Sequence, residues 1–175
     1  MERIERLETL KEIENLFNYK TVLVIGEHPI GKRSKNNAIH LFIENNFNIT
    51  ILEAYEQNVK EIIEENNGWE VIHGDIINQK FEKNSFDVVL WWHGPEHVEE
   101  KELSNIFDKL KTIAKHFVVT GCPWGKYEQD ATWGNPYEIH RSHLTFEFFE
   151  NLGFKIKTLG EKDTKGSNIT SWYKK

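Results

Sequence analysis

Apolar residues at Ile4, Leu7, Leu10, Ile13, Leu16 and Phe17 recur three or four places apart among charges, a spacing that predicts an amphipathic helix over residues 2–17. The period then switches. Five residues of high β propensity, Thr21 to Ile25, stop at Gly26 and predict a first strand; a helical pattern over 32–45 follows, with Ala38, Ile39, Leu41, Phe42 and Ile43 on its apolar side. Further strands are predicted at 48–53, 69–73, 86–92 and 116–120, and helices at 57–66 and 98–115. The 86–92 segment is apolar almost throughout, as a strand covered on both faces is. Regularity stops at 121. Pro123, Gly125, Gly134 and Pro136 punctuate residues 121–142, while Trp124, Tyr127, Trp133 and Tyr137 argue for an ordered, functional loop rather than disorder. A short helix at 145–152, halted by Gly153, precedes two strands at 154–159 and 168–173 joined by a polar turn.

Strands alternating with helices imply an α/β three-layer sandwich, a mostly parallel seven-stranded sheet covered on both faces, and the closing pair without an intervening helix implies an antiparallel edge. A chain of 175 residues is expected to form one domain, with the 1–18 helix added to it. Ligands of such sheets sit outside the carboxyl ends of the strands, which here carry Gly26, Glu53, Asp75, His93 and Gly121. Composition narrows the partners. The single Cys122 can form no internal disulfide, the first residues are charged, and no run is long and apolar enough to span a bilayer, which together predict a soluble, cytoplasmic protein without a membrane partner. A net charge of −6 with both signs interspersed leaves no basic face for nucleic acid.

The stretch from Gly26 to Lys35 is the first candidate cradle, because a strand running through glycines into a helix start gathers free backbone N–H groups and the positive end of a helix dipole. One reading is phosphate binding. Gly26 and Gly31-Lys32 have P-loop spacing, and Lys32, Arg33 and Lys35 favour an anion, but Arg33 stands where a Ser or Thr would meet Mg²⁺, and the fourth strand ends in Trp91-Trp92-His93 without an acid.

The other reading comes from the order of the strand ends. Val22-Leu23-Val24-Ile25-Gly26-Glu27-His28-Pro29-Ile30-Gly31, then Glu53 22 residues after Gly31, then His73-Gly74-Asp75-Ile76, then Phe86 to Val98 with its Glu96-His97 pair, resemble the class I S-adenosylmethionine-dependent methyltransferases over nearly the whole chain from Tyr19 onward. Gly134-Asn135-Pro136-Tyr137 through His140 also looks like a subset of small bacterial and viral members. The resemblance implies a Rossmann-like methyltransferase fold with S-adenosyl-L-methionine as cofactor. Gly26, Glu27 and Gly31 would line it from the first loop, Glu53 would hold the ribose hydroxyls, Asp75 and Ile76 would lie beside the adenine, and Trp92 would add an aromatic wall. The loop departs from the family where His28 and Ile30 replace glycines, which crowds the approach to the donor's methionine part.

His93 and His97, just past the fourth strand, fall where the resembling family places its reacting methyl, and imidazole suits acid–base catalysis near neutrality. Read structurally, Glu96 and His97 order that loop instead. No metal is expected: His93/His97 and His140/His143 are the spaced pairs, neither clearly helical. Trp124, Trp133, Tyr137 and His140 are the expected substrate-binding residues of the long loop, although two of the four aromatic residues Trp92, Trp124, Trp133 and Tyr137 would serve instead to pin the loop onto the sheet. The expected activity is methyl transfer to an oxygen or nitrogen of a small molecule or sugar. A non-catalytic nucleoside-binding or interaction protein and a phosphate-binding enzyme are the alternatives.

Overall fold

The computed structural model describes residues 2–34 and 37–175. Its elements run α1 (Glu2–Glu12), β1 (Thr21–Ile25), α2 (Ile39–Glu44), β2 (Asn48–Glu53), α3 (Glu56–Glu64), β3 (Glu70–His73), β4 (Phe86–Trp92), α4 (Glu100–Ile113), β5 (Ala114–Pro123), α5 (Phe146–Asn151), β6 (Lys155–Leu159) and β7 (Asn168–Lys174), with short 3₁₀ turns at Leu16–Asn18, Pro95–His97 and Pro136–Glu138. Seven strands form one sheet in the order β3-β2-β1-β4-β5-β7-β6. β1 to β5 pair in parallel, and β7 enters antiparallel between β5 and β6.

Alternation along the central strands divides the core into two layers. Val22, Val24, Ile49, Ile51, Val88, Leu90 and Trp92 face α1, α2 and α3, packing on Leu10, Phe42 and Ile62. Leu23, Ile25, Leu52, Val89 and Trp91 face α4 and α5, whose Leu103, Phe107, Leu110 and Phe149 are buried. Both faces are therefore covered, and the apolar run of β4 is explained by burial on each side. The switch in strand order between β1 and β4 opens a crevice at their carboxyl ends.

Three boundaries differ from expectation by more than the residue or two seen elsewhere. The first helix ends at Glu12 rather than 17, since Asn15 takes a left-handed conformation (φ 67°) and a separate 3₁₀ turn carries Leu16. The helix expected over 32–45 is only Ile39–Glu44. Lys32 and Arg33 instead donate their backbone N–H groups to Pro29 O at 2.9 and 2.8 Å, closing a turn. Asn37 Oδ1 accepts from Ile39 N at 3.1 Å at the start of α2, so Gly31 does not lead into a helix N-terminus. β5 runs to Pro123, because Gly121, Cys122 and Pro123 pair with Thr170, Ile169 and Asn168 of β7, a partner some fifty residues away that local pattern does not reveal.

Candidate functional site

Two cavities meet at the carboxyl ends of β1 and β4. The smaller, about 340 Å³, lies over Ile25, Gly26, Leu52, Glu53, Asp75 and Ile76. The larger, about 410 Å³, runs over Trp92 toward Tyr127, Gln129, Trp133 and His140 of the long loop. Gly26, His28, His93, His97 and Glu138 line both. They form the shared wall.

Glu53 ends β2 almost fully buried, yet it opens onto the smaller cavity. Its Oε2 accepts from Glu27 N at 3.0 Å and its Oε1 from Tyr55 N at 2.8 Å, so both oxygens are held by backbone and each keeps a second lone pair for a ligand. Burial pushes its pKa to about 7, against the opposing effect of those two N–H groups. Asp75 turns the chain after β3, its Oδ1 accepting from Ile77 N at 2.9 Å. Lys109 of α4 holds the same turn by donating to Ile76 O at 2.6 Å. Gly26 takes φ 70° at the tip of β1, a left-handed conformation suited to glycine, and the space where a Cβ would stand is open.

The wall is organised by β4. Its last step puts His93 at φ 54°, an unusual conformation for a residue with a Cβ, and swings the ring into the crevice. Arg6 reaches in from α1, its guanidinium 4.3 Å above the Trp92 ring, and Nη1 meets His93 Nε2 at 2.7 Å. His93 Nδ1 lies 3.2 Å from Glu96 Oε1. Both ring nitrogens are thus engaged, with Nε2 accepting from Arg6 and Nδ1–H donating to Glu96. Desolvation by the surrounding protein and the Arg6 charge lower its pKa, which favours the neutral form, although the side chain keeps a solvent-exposed edge. Glu96 is buried but ionised more readily than usual, because the His93 hydrogen bond and the nearby imidazoles outweigh the desolvation that opposes its charge.

Across the wall, His28 Nε2 lies 3.0 Å from Glu138 Oε1, and its ring stands edge-on to Trp133 at 5.5 Å. Burial opposes charge on His28, but Glu138 outweighs it and the pKa is raised. This contact ties the first loop to the long loop. His97 and His140 form a second tie, with ring centroids 4.9 Å apart.

The expected site residues separate into groups. Gly26, Glu53, Asp75 and Ile76 come together on the smaller cavity, joined by Tyr137, which was expected on the substrate side. His93 and His97 stand in the shared wall, and Trp133 and His140 line the larger cavity. Trp92 also faces the larger cavity, on the opposite side of β4 from Trp91, which takes the smaller one. Trp124 lies away from both, packed on the α4–α5 side of the core. Gly31 lines neither cavity, and Glu27 turns beneath the loop, where its Oε1 accepts from Arg33 Nε at 3.1 Å and His28 N at 2.8 Å. The phosphate reading loses its basis here: Lys32 pairs with Glu61 at 3.1 Å, Arg33 with Glu27 and with Glu65 at 3.5 Å, and no helix opens at Gly31. Lys35, the third cation of that reading, is outside the described residues. Arg6 was legible only as one charge of an amphipathic helix. Glu138 carried no motif, and nothing local marks its pairing with His28, 110 positions away.

No family model and no curated sequence matches the chain. Solved structures do match in fold. A SAM dependent methyltransferase from Archaeoglobus fulgidus shares 15% identity at TM-score 0.65, with 100% of this chain and 95% of that one covered. The S-adenosylmethionine dependent methyltransferase from Mesorhizobium loti shares 10% at TM-score 0.69, covering 100% and 98%. This chain has the class I methyltransferase fold. Magnesium protoporphyrin IX methyltransferase from Synechocystis PCC 6803, with bound SAH, superposes on the same methyltransferase fold at TM-score 0.65 and 11% identity, over 98% of this chain and 81% of its own. Within this fold the smaller cavity lies at the switch point of the sheet, between the ends of β1, β2 and β4. Among the described residues no helix is long and apolar enough to cross a membrane.

Proposed function

We propose that this chain is a cytoplasmic S-adenosyl-L-methionine-dependent methyltransferase acting on an oxygen or nitrogen of a small molecule or sugar. The observation that carries the reading is the shared wall: a cavity floored by Gly26 and Glu53 abuts a second, aromatic-lined cavity across His93 and His97. The nucleoside part of the donor occupies the smaller cavity, with Glu53 accepting from the ribose hydroxyls through its two remaining lone pairs and Asp75 and Ile76 beside the adenine. The sulfonium then faces the wall. The acceptor enters the larger cavity between Trp133 and His140, and transfer follows from in-line positioning with water excluded by the long loop. The C–S bond breaks as the acceptor–methyl bond forms, and its electron pair stays on sulfur. His97, whose Nδ1 lies 3.4 Å from Ile139 O, keeps Nε2 for a proton or a ligand, whereas His93 has neither nitrogen spare.

Support comes from the fold and from neighbours that are S-adenosylmethionine-dependent methyltransferases, one of them with SAH bound. A second reading, nucleoside binding without transfer, draws on the His28–Glu138 contact, which crosses the wall where glycines would leave room. Calorimetric titration with S-adenosylmethionine, S-adenosylhomocysteine and ATP, followed by a labelled-methyl acceptor screen, separates the readings. Micromolar binding of the first two, lost in Glu53→Ala, with label appearing in an acceptor, supports the transferase. Donor binding without any methylated product supports the second reading. Binding of none overturns both.

A further inference from the structure

The sequence offers two histidine pairs, His93/His97 and His140/His143, but the fold makes a third. It brings His97 of the β4–α4 turn against His140 of the long loop, and Glu96 joins them, one donor atom from each lying within 4.8 Å of the others. Each member is already oriented. His97 Nδ1 is directed at Ile139 O at 3.4 Å and His140 Nδ1 at Tyr127 O at 2.5 Å, so both rings carry their proton on Nδ1 and present Nε2 as a lone pair. Glu96 Oε1 takes the His93 N–H, while Oε2 is fully buried and has no hydrogen-bond partner. A buried carboxylate with one oxygen left unpartnered, clustered with two imidazoles, is a costly arrangement unless something positive fills it.

We propose that Glu96, His97 and His140 bind a first-row divalent cation such as Zn²⁺ or Co²⁺, leaving coordination positions open toward the larger cavity. Two imidazoles and one carboxylate suit these borderline ions, and three protein ligands leave room for water or a substrate oxygen. The surroundings are those of a metal centre: backbone carbonyls fix both imidazole tautomers, and Arg6 holds His93, which holds the carboxylate. The turn that carries Glu96 and His97 is fastened to the segment after His140, since Arg141 N and Ser142 N both donate to Glu96 O, at 2.8 and 3.2 Å, and Ser142 Oγ donates to Pro95 O at 3.2 Å. Resting on the methyltransferase reading, the cation also assigns the acceptor class: a hydroxyl compound that coordinates it, releases its proton to solvent and is methylated on the resulting oxygen.

The test is metal binding itself, in the absence of donor. Full-length protein stripped with chelator and dialysed is titrated with Zn²⁺ by calorimetry and with Co²⁺ by visible absorption. One equivalent of micromolar or tighter binding is expected, with ligand-field bands for Co²⁺. His140→Ala and Glu96→Gln should each weaken it by about 100-fold, since even outer partners of such centres are worth roughly 10–100-fold. His143→Ala, an exposed neighbour outside the cluster, should leave it unchanged. His140→Gln and circular dichroism of each variant separate lost ligation from lost folding. Absent or millimolar binding, or binding that survives His140→Ala and His140→Gln in folded protein, overturns the site. Donor titration is independent of these outcomes: failure of S-adenosylmethionine to bind while Co²⁺ binds would sink the transferase and keep the metal site.

Discussion

The smaller cavity is walled mainly by residues at strand ends and by the loops directly following them, whereas the larger one shares the loop after β1 and the β4–α4 turn but adds α1, more of the long loop and the β6–β7 turn. Their polar equipment differs accordingly. Around Glu53 the fixing partners are backbone N–H groups, which any sequence supplies once the strands are in register. The larger cavity depends on side chains fixing side chains, in the chain Arg6–His93–Glu96 and the ties His28–Glu138 and His97–His140. A site built from strand ends tolerates wide sequence change, which fits neighbours at 10–15% identity keeping the fold. A site built from distant side chains depends on each of those residues being in place.

The sharpest break between the two regions is expected at Glu53. Its ordinary pKa of 4.5 is raised to about 7 in the fold, so the folded state disfavours its charge. The contribution to stability is fully retained below about pH 4.5 and is lost as pH rises through about 7, on the order of 3 kcal/mol over the window. Ligand-free Tm should therefore fall between pH 5 and 8, and Glu53→Gln should flatten that slope. Donor affinity should run the other way. It should weaken below pH 7 as the carboxylate protonates, and drop about 100-fold in Glu53→Ala, equivalent to about 2.7 kcal/mol and consistent with two charge-assisted hydrogen bonds. A pH-independent Tm difference between wild type and Glu53→Gln would contradict this account.

Gly94→Ala comes next. A Cβ there would overlap Nε1 and Cδ1 of the Trp91 indole, and overpacking of this kind costs about 2 kcal/mol. Because Trp91 lines the smaller cavity, urea unfolding and donor titration should both register the change. Gly26→Ala should cost less, about 1 kcal/mol, since its Cβ meets nothing and only the left-handed backbone resists it. Smallest of all is Glu138→Gln. Glu138 helps raise the His28 pKa, so its contribution is present below the ordinary histidine value of 6.5 and disappears as pH rises through the raised one. With both side chains partly solvated, a few tenths of a kcal/mol at pH 6 and none at pH 9 is expected by chemical denaturation.

The strand pattern of β1, β2 and β4 was readable because burial on both faces leaves apolar runs that end where the strand ends, which also placed Gly26, Glu53 and His93. Trp92 shows the limit of that reading. Alternation separates it from Trp91, but which tryptophan meets which cavity depends on the helices each face receives. The Gly31 region misled for a related reason. The 32–45 pattern contains a genuine helix, but buried pairing of Arg33 with Glu27 and the Pro29 turn hold Lys32 and Arg33 out of it, and the helix begins only at Ile39.

The alternation of strands and helices, the apolar faces and the acid closing β2 were determined by the sequence alone, because period and propensity act between residues a few places apart. The folded chain decided the rest: the antiparallel extension of β5, Arg6 over Trp92, His28 against Glu138, and His97 meeting His140 across 43 positions beside the orphaned oxygen of Glu96. Those contacts join segments whose separation in sequence carries no period, and only the twist and order of the sheet bring them to one end of the molecule.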